Sequence, residues 1–276
     1  MRIVSIGEIL WDVFGAVDYL GGAAFNFAAH ARKLGHDVVF VSAVGDDARG
    51  RRALERMAAL GLTTNYVQIV NAPTGVVTVH LDAAGQPDFT IHRPAAYNLV
   101  DFAEQELQLD PDWIYFGTLH QFDPLSREVT RRLLAANPYA KRFYDVNLRP
   151  RCYTPVLVAE LLHSADVVKL NEQELAQVEQ WFGKLDIKSL CVTHGEKGCT
   201  VQLGDDRAEV PGYAIEVADT VGAGDAFAAA FVHGLGQGWG AAQIGDFANR
   251  VGALVASRHG AIPDWTIDEC LALRRR

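Results

Sequence analysis

A parallel β-sheet covered by helices, with a small antiparallel sheet attached, is the α/β fold class this sequence predicts, and three observations predict it. Short β-rich runs alternate with helical patterns along most of the chain, as they do in a parallel sheet whose crossovers are helices. One stretch breaks the alternation with three β-like runs in succession. Polar residues gather just past the strand ends, where open α/β sheets bind their ligands.

The first run, 2–6, leads into Glu8 and Asp12. A helical pattern over 22–34 follows and stops at Gly35, a residue free to take the left-handed backbone that closes helices. Next come the run 38–44, with Asp46 and Asp47 at its end, and a helical pattern over 47–60 that stops at Gly61. The runs 66–70, 75–81 and 88–92 have no helix between them, and their separators, 71–73 and 82–87, have turn compositions. A small sheet projecting over a cleft as a lid satisfies these runs; an extension of the main sheet's edge satisfies them equally. Four further runs complete the main sheet: 113–116; 142–146, ending in Asp145 and Asn147; 167–170, followed by Asn171 and Glu174; and 190–193, followed by a polar, glycine-containing turn to 198. Helical patterns at 223–235 and 241–257 close the chain, joined by the glycine-rich segment 234–240.

The 276 residues are 49% hydrophobic and 21% charged, enough apolar material for one large domain. A net charge of -9 argues against nucleic acid and anionic membranes as partners, since phosphate surfaces reward basic proteins. The run Arg274, Arg275 and Arg276 reads as a solvated basic tail. Cys152, Cys191, Cys199 and Cys270 lack metal-ligand spacing, the histidines form no H-E-x-x-H pattern, and no apolar run is long enough to span a bilayer. Nothing before Gly7 and Glu8 resembles a signal peptide, so a reducing cytoplasm is expected.

The densest chemical signal is Asp219-Thr220-Val221-Gly222-Ala223-Gly224-Asp225, which runs straight into an Ala- and Phe-rich helix. Glycines let a ligand approach the backbone, and the free N–H groups of a helix start favour an anion. Asp225 beside a bound anion adds like charge, which makes sense if it takes a proton from a hydroxyl. Taken alone, the run also fits a glycine turn capped by aspartate. No G-x-x-x-x-G-K-[ST] loop occurs, and 2–6 is not followed by G-x-G-x-x-G, so neither a P-loop NTPase nor a Rossmann dehydrogenase is supported.

Five segments in order resemble the ribokinase-like (PfkB) carbohydrate kinases. They are Gly7-Glu8-Ile9-Leu10-Trp11-Asp12, the Gly21-Gly22 segment through Asn26, Asn171-Glu172-Gln173-Glu174, Thr193 to Gly198, and the Asp219 to Phe227 signature. The resemblance covers nearly the whole chain. It implies a three-layer ribokinase-like sandwich forming a single domain over 1–276, with a β lid contributed by about 11–20 and 66–97. It makes Asp225 the base, with the Gly222, Ala223 and Gly224 amides as an anion hole. ATP would lie along Thr193, Gly195, Gly198 and Asn249, with Asn171 beside its phosphates. Glu174 would hold Mg²⁺ through water, in keeping with the preference of Mg²⁺ for oxygen ligands and retained waters. A monovalent cation such as K⁺ would use Asp219, the Val221 carbonyl and carbonyls around Val255 to Gly260. Asp264 stands where some relatives carry serine.

Asp12, Gly21, Gly22 and Asn26 resemble the sugar-holding residues of these kinases, a role suited to a carboxylate acceptor and an amide that both donates and accepts. Arg93 resembles the arginine that follows the lid in fructokinase-like members, and Asp145-Val146-Asn147-Leu148-Arg149-Pro150 resembles their D-x-N-x-R-P segment, which adds Asn147 and Arg149 to the substrate side. Few cations occur in these segments, which favours a neutral sugar over one carrying phosphate or carboxylate. The implied activity is ATP-dependent phosphorylation of a free sugar, fructose first. The alternatives are a nucleoside or 2-keto-3-deoxygluconate kinase on the same scaffold, or a non-catalytic sugar sensor. The segment 177–190 is short for the family, which alters the rim near the adenine. The exposed strand edge of the lid is a route to a homodimer.

Overall fold

The computed structural model describes residues 1–81 and 87–275. Most of the turn expected over 82–87, and Arg276 of the basic tail, lie outside the described residues. Strand β1 (Arg2–Ile6) runs parallel to β4 (Asp37–Gly45) on one side and to β8 (Trp113–Gly117) on the other. With β5 (Val67–Val70), β9 (Lys141–Asp145), β10 (Val167–Asn171), β11 (Ser189–Thr193), β12 (Gly198–Leu203) and β13 (Asp206–Pro211), these strands form a nine-stranded sheet ordered β13-β12-β11-β10-β9-β8-β1-β4-β5. It is parallel from β5 to β11, and β12 and β13 add an antiparallel edge.

Both faces of the sheet are covered, which is why its central strands read as nearly continuous apolar runs. Ile3 packs toward α1 (Ala23–Lys33), α2 (Ala48–Ala59), α7 (Ala223–Gly236) and α8 (Ala241–Ala256). Val4 and Ile6 pack on the opposite face, toward α4 (Pro124–Ala136), α5 (Pro155–Ser164) and α6 (Glu172–Phe182). A short α3 (Thr118–Gln121) follows β8, and α9 (Ile267–Ala272) packs on α8. The sequence breaks expected at Gly35 and Gly61 fall just after α1 and α2, with φ of 85° and 74°, a left-handed backbone that costs glycine little.

The three-run stretch divides between the two arrangements left open by the sequence. Its first run is β5, the edge of the main sheet, paired in parallel with β4. This corrects the expectation that 66–70 belongs to the lid: β5 ends the β4–α2–β5 crossover, and Val67 is buried in the main core. The other two runs, β6 (Gly75–Leu81) and β7 (Pro87–Ile91), join β2 (Leu10–Phe14) and β3 (Val17–Gly21) in a separate sheet ordered β3-β2-β6-β7. The chain leaves the main sheet after β5 and is tied at Thr74, whose N–H donates to Asp47 Oδ2 (2.8 Å) while Asp47 Oδ1 caps α2 by accepting from Gly50 N–H (2.7 Å). Asp47, one of the polar residues past the strand ends, is therefore a structural tie.

Two further departures have plain causes. The β12–β13 hairpin turns through Gly204 and Asp205, with Gly204 at φ 62°; a Gly-Asp pair between β-like runs was its signal. The C-terminal tail is not simply solvated. Arg275 pairs with Asp246 at 2.6 Å and lies 5.2 Å from the centre of the Tyr213 ring.

Candidate active site

Two adjoining cavities open past the ends of β1, β9, β10 and β11. One of about 420 Å³ lies under the four-stranded sheet, with Glu8, Asp12, Asn26, Asp145, Arg149 and Asp225 in its wall. The other, about 360 Å³, runs along α8 and is walled by Tyr213, Ile215, Val217, Phe227 and Ala253. Thr193, Thr220 and Gly224 line both, so the two form one cleft with its junction at the start of α7.

That junction is built by the Asp219–Asp225 run. Gly222 has φ 76°, and a Cβ there would meet the Ala261 carbonyl oxygen at 2.4 Å, so a side chain is excluded twice over. Among the described residues, the N–H groups of Gly222, Gly224 and Asp225 have no backbone acceptor, while Ala223 N–H donates to the Thr220 carbonyl at 3.3 Å. The helix start thus offers unspent donors to an anion. Of the expected trio, Ala223 is the one already engaged.

Asp225 stands in the first turn of α7, where Asn26 Nδ2 donates to its Oδ2 at 2.8 Å. Burial pushes its carboxyl up to about 7; the Asn26 hydrogen bond pulls the other way, the Asp145 charge adds to the rise, and Lys169 and Arg149 oppose it. A carboxylate so placed is a far better base near neutral pH than an ordinary aspartate. Asn26 is buried, and its Oδ1 has no partner, so it holds an acceptor ready for a donor in the cavity. Asp12 faces the same cavity with its carboxyl raised to about 6 by burial, against the pull of Arg149. Gly21 makes room for Asp12, whose Oδ2 lies 2.9 Å from where a Gly21 Cβ would be, and Gly22 lets the chain pass over the Glu8 carbonyl.

Glu8 and Asp145, read from sequence only as polar residues past strand ends, stand in this wall, and Lys169, which the sequence reading passed over, stands with them. Glu8 Oε1 accepts the Ala23 N–H at 3.0 Å, and burial raises its carboxyl. Lys169 donates to both oxygens of Asp145, at 3.0 and 2.9 Å, and Tyr115 OH donates to Asp145 at 3.3 Å. Burial works hardest against the Lys169 ammonium, but the Asp145 charge and hydrogen bond together with the Glu174 and Asp225 charges outweigh it, and the net direction is up. The signal was present: a lysine amid Val167, Val168 and Leu170 in a strand buried on both faces is rare unless paired.

At the start of α6, Asn171 and Glu174 form a reciprocal cap. Glu174 N–H donates to Asn171 Oδ1 (2.9 Å) and Asn171 N–H to Glu174 Oε2 (2.9 Å), while Leu148 N–H donates to Glu174 Oε1 (2.8 Å). Glu174 is buried, and burial followed by the Asp145 charge raises its carboxyl. Its spare lone pairs, with the Asn171 carbonyl oxygen, make an oxygen-only donor set that fits a water-held Mg²⁺. Asn147 and Arg149 line the cavity under the four-stranded sheet, Asn147 with a left-handed φ of 36°. Arg93 does not line it; the guanidinium sits 5.1 Å from the centre of the Phe122 ring.

On the other side, Thr193, Gly195, Gly198 and Asn249 all line the α8 cavity. The Asn249 amide is spent on structure, donating to the carbonyls of Val210 (3.2 Å) and Pro211 (3.3 Å). Asp219 accepts from Val221 N–H and Gly260 N–H, both at 3.0 Å. Of the expected cation group, Asp219, Val221 and Gly260 are drawn together by these bonds, and the Asp219 N–H donates to the Ala256 carbonyl at 3.2 Å; the Asp264 side chain is instead fully exposed and paired with Lys33 at 3.3 Å.

Residues 5–268 match the pfkB family carbohydrate kinases. The chain is 29% identical to fructokinase-1 of Oryza sativa subsp. japonica, over 95% of its own length and 93% of the relative's. Among solved structures, it resembles an uncharacterized sugar kinase of Pyrococcus horikoshii in complex with ATP, at 27% identity and TM-score 0.87, covering 97% of this chain and 96% of the other. It also resembles the fructokinase of Xylella fastidiosa with bound ATP, at 26% identity and TM-score 0.83, covering 98% and 97%. No helix among the described residues is long and apolar enough to cross a membrane.

Proposed function

The chain belongs to the pfkB family of carbohydrate kinases, and from that premise we propose that it transfers the γ-phosphoryl group of ATP to a hydroxyl of a free sugar, with fructose the preferred acceptor. The observation that carries this reading is Asp225. Its raised carboxyl stands where the unspent amides of α7 meet the polar cavity under the small sheet. The sugar occupies that cavity, with Asp12 and Asn26 on its hydroxyls, and the nucleotide lies along α8.

In the transfer, the sugar oxygen bonds to the γ-phosphorus as the bond to the bridging oxygen breaks and its electron pair leaves with ADP. The hydroxyl proton passes to Asp225. The Gly222 and Gly224 amides stabilise the charge in transit. Asn171 and Glu174 would hold Mg²⁺ through water, and the ion would supply charge neutralisation on the phosphates. Closure of the four-stranded sheet excludes water, which would otherwise compete as acceptor.

Charge favours a neutral sugar. Among the described residues, Glu8, Asp12, Asp145, Glu174 and Asp225 line the sugar-side cavity against two cations, Arg149 and Lys169, and Lys169 is already paired. A sugar acid such as 2-keto-3-deoxygluconate would enter an anionic pocket. K⁺ has weak support, since Asp219 is satisfied by amides and Asp264 faces solvent. A homodimer through the small sheet is favoured by the exposed Val17 and Tyr19 on its edge strand β3.

A coupled assay of ADP release, run with ATP and Mg²⁺ over fructose, other ketoses, aldoses, ribose, nucleosides and 2-keto-3-deoxygluconate, tests the reading. Fructose is expected to give the highest kcat/KM. Turnover on a nucleoside instead overturns the acceptor, and no acceptor-dependent turnover overturns the kinase.

A further inference from the structure

Lys169 is the one buried lysine among the described residues. Two of its three N–H groups go to the two oxygens of Asp145; the third has no acceptor among the described residues. A Cβ built at Gly224 would find only one atom within 4 Å, the Lys169 Nζ at 3.7 Å. Gly224 lines both cavities and carries an unspent amide. The ammonium therefore faces the anion-binding helix start across the junction through which a transferred group must pass.

A purely structural role accounts poorly for this placement. Burying an ion pair in a strand of valines and leucine gains little over a well-packed apolar residue. Asp145 is held by Tyr115 as well as by Lys169, so the pair is fixed from the Asp145 side and open on the cavity side. Five carboxylates line the cavity that adjoins this junction, and a polyphosphate arriving at the junction meets their repulsion unless a cation stands there.

We propose that Lys169 is a catalytic contact: its third N–H binds an oxygen of the γ-phosphoryl group opposite the Gly224 amide, and Asp145 is the positioning residue that holds it there. Lys169 stays protonated throughout. The P–O bond to the acceptor forms, the bond to the bridging oxygen breaks with its electrons going to ADP, and the acceptor's proton goes to Asp225. This rests on the kinase reading above. It further requires that the protein distinguish ATP from ADP through one side chain.

Binding of ATP and of ADP, measured by calorimetry on wild type and Lys169→Met, is the test, with kcat and KM followed in parallel. ATP affinity is expected to fall about ten-fold or more with ADP and fructose affinities nearly unchanged, and kcat to fall about 10²-fold. Equal losses for ATP and ADP, or an unchanged kcat, overturn the proposal. Lys169→Met leaves Asp145 buried without its partner, so the double variant Lys169→Met/Asp145→Asn is measured alongside and is expected to show the same selective loss of ATP. If neither variant folds, the buried Lys169 Nζ resonance in wild-type protein with ¹⁵N-labelled lysine decides. It is expected to move with a non-hydrolysable ATP analogue and not with ADP; movement with both or with neither overturns the contact. If wild type turns over no sugar, the kinase reading falls, while the comparison of ATP with ADP still judges Lys169.

Discussion

The two halves of the cleft present different physics to a ligand. Under the four-stranded sheet the wall is carboxylate and amide, with Asn26 holding a buried, unpartnered oxygen. Along α8 it is Ile215, Val217, Phe227 and Ala253, and the polar Asn249 is tied to the Val210 and Pro211 carbonyls of β13. A site that leaves buried polar groups waiting rejects ligands that cannot satisfy them, because each unmet group costs its full desolvation. An apolar slot discriminates by shape alone and far more weakly. Selectivity for the acceptor should therefore reside at the acidic end, and affinity for the nucleotide at the apolar wall and the α7 amides.

The sharpest way to break that division is Asp225→Asn. Turnover should fall on the order of 10³-fold or more, while calorimetry finds fructose binding retained; residual turnover near wild type would remove Asp225 from the chemistry. A smaller effect is expected for Asn26→Ala, with the fructose KM rising roughly 10- to 100-fold and ATP binding unchanged. Equal losses for both ligands would show that the two halves are not independent.

The pH dependence sharpens the same comparison. Because Asp225 must be ionised to accept a proton, and its carboxyl sits at about 7, kcat/KM for the sugar should rise toward a plateau above neutrality. Asn26→Ala should shift that rise to higher pH, since the lost hydrogen bond favours the ionised form. Stability should run the other way. Between the ordinary value of 3.8 and the folded value of about 7, the folded state holds a proton that the unfolded state has released, so wild type loses stability as pH rises through this window. Asp225→Asn lacks that loss, so its Tm advantage over wild type should grow from pH 4 to 7 and then level off. A constant Tm difference would place the titration elsewhere.

The smallest effect belongs to the apolar half. Asn249→Ala should cost about 1–2 kcal/mol of stability by leaving the Val210 and Pro211 carbonyls without their donor, with little change in the fructose KM. If the KM for ATP rises more than ten-fold while stability holds, Asn249 reads the nucleotide directly.

Local pattern carried much of this molecule. The central strands were legible because a sheet covered on both faces demands unbroken apolar runs, and α1 and α2 because glycine marks their ends. The small sheet was legible only as a choice, since 66–70 and 75–81 look alike as β runs; the α2 crossover docks one on β4 and leaves the other to pair with β2. In the site, Asp12, Asn26 and Asp225 were visible through motifs. Arg93 and Asp264, named by the same resemblance, stand outside the cavity wall and in solvent, because a motif reports chain position and not side-chain direction.

By itself, the sequence determined the α/β architecture, the glycine-rich helix start and the aspartate beside it, all of which are signalled by residue patterns within short stretches of chain. Only the tertiary structure decided that Asp145 and Lys169, 24 residues apart, meet as a buried pair. It also decided that Asn26 reaches Asp225 across 199 residues, and that Asp225 lies deep enough for burial to raise its carboxyl. Charge pairing and desolvation depend on distance and on excluded water, and both exist only once separate strands have been brought to the same end of one sheet.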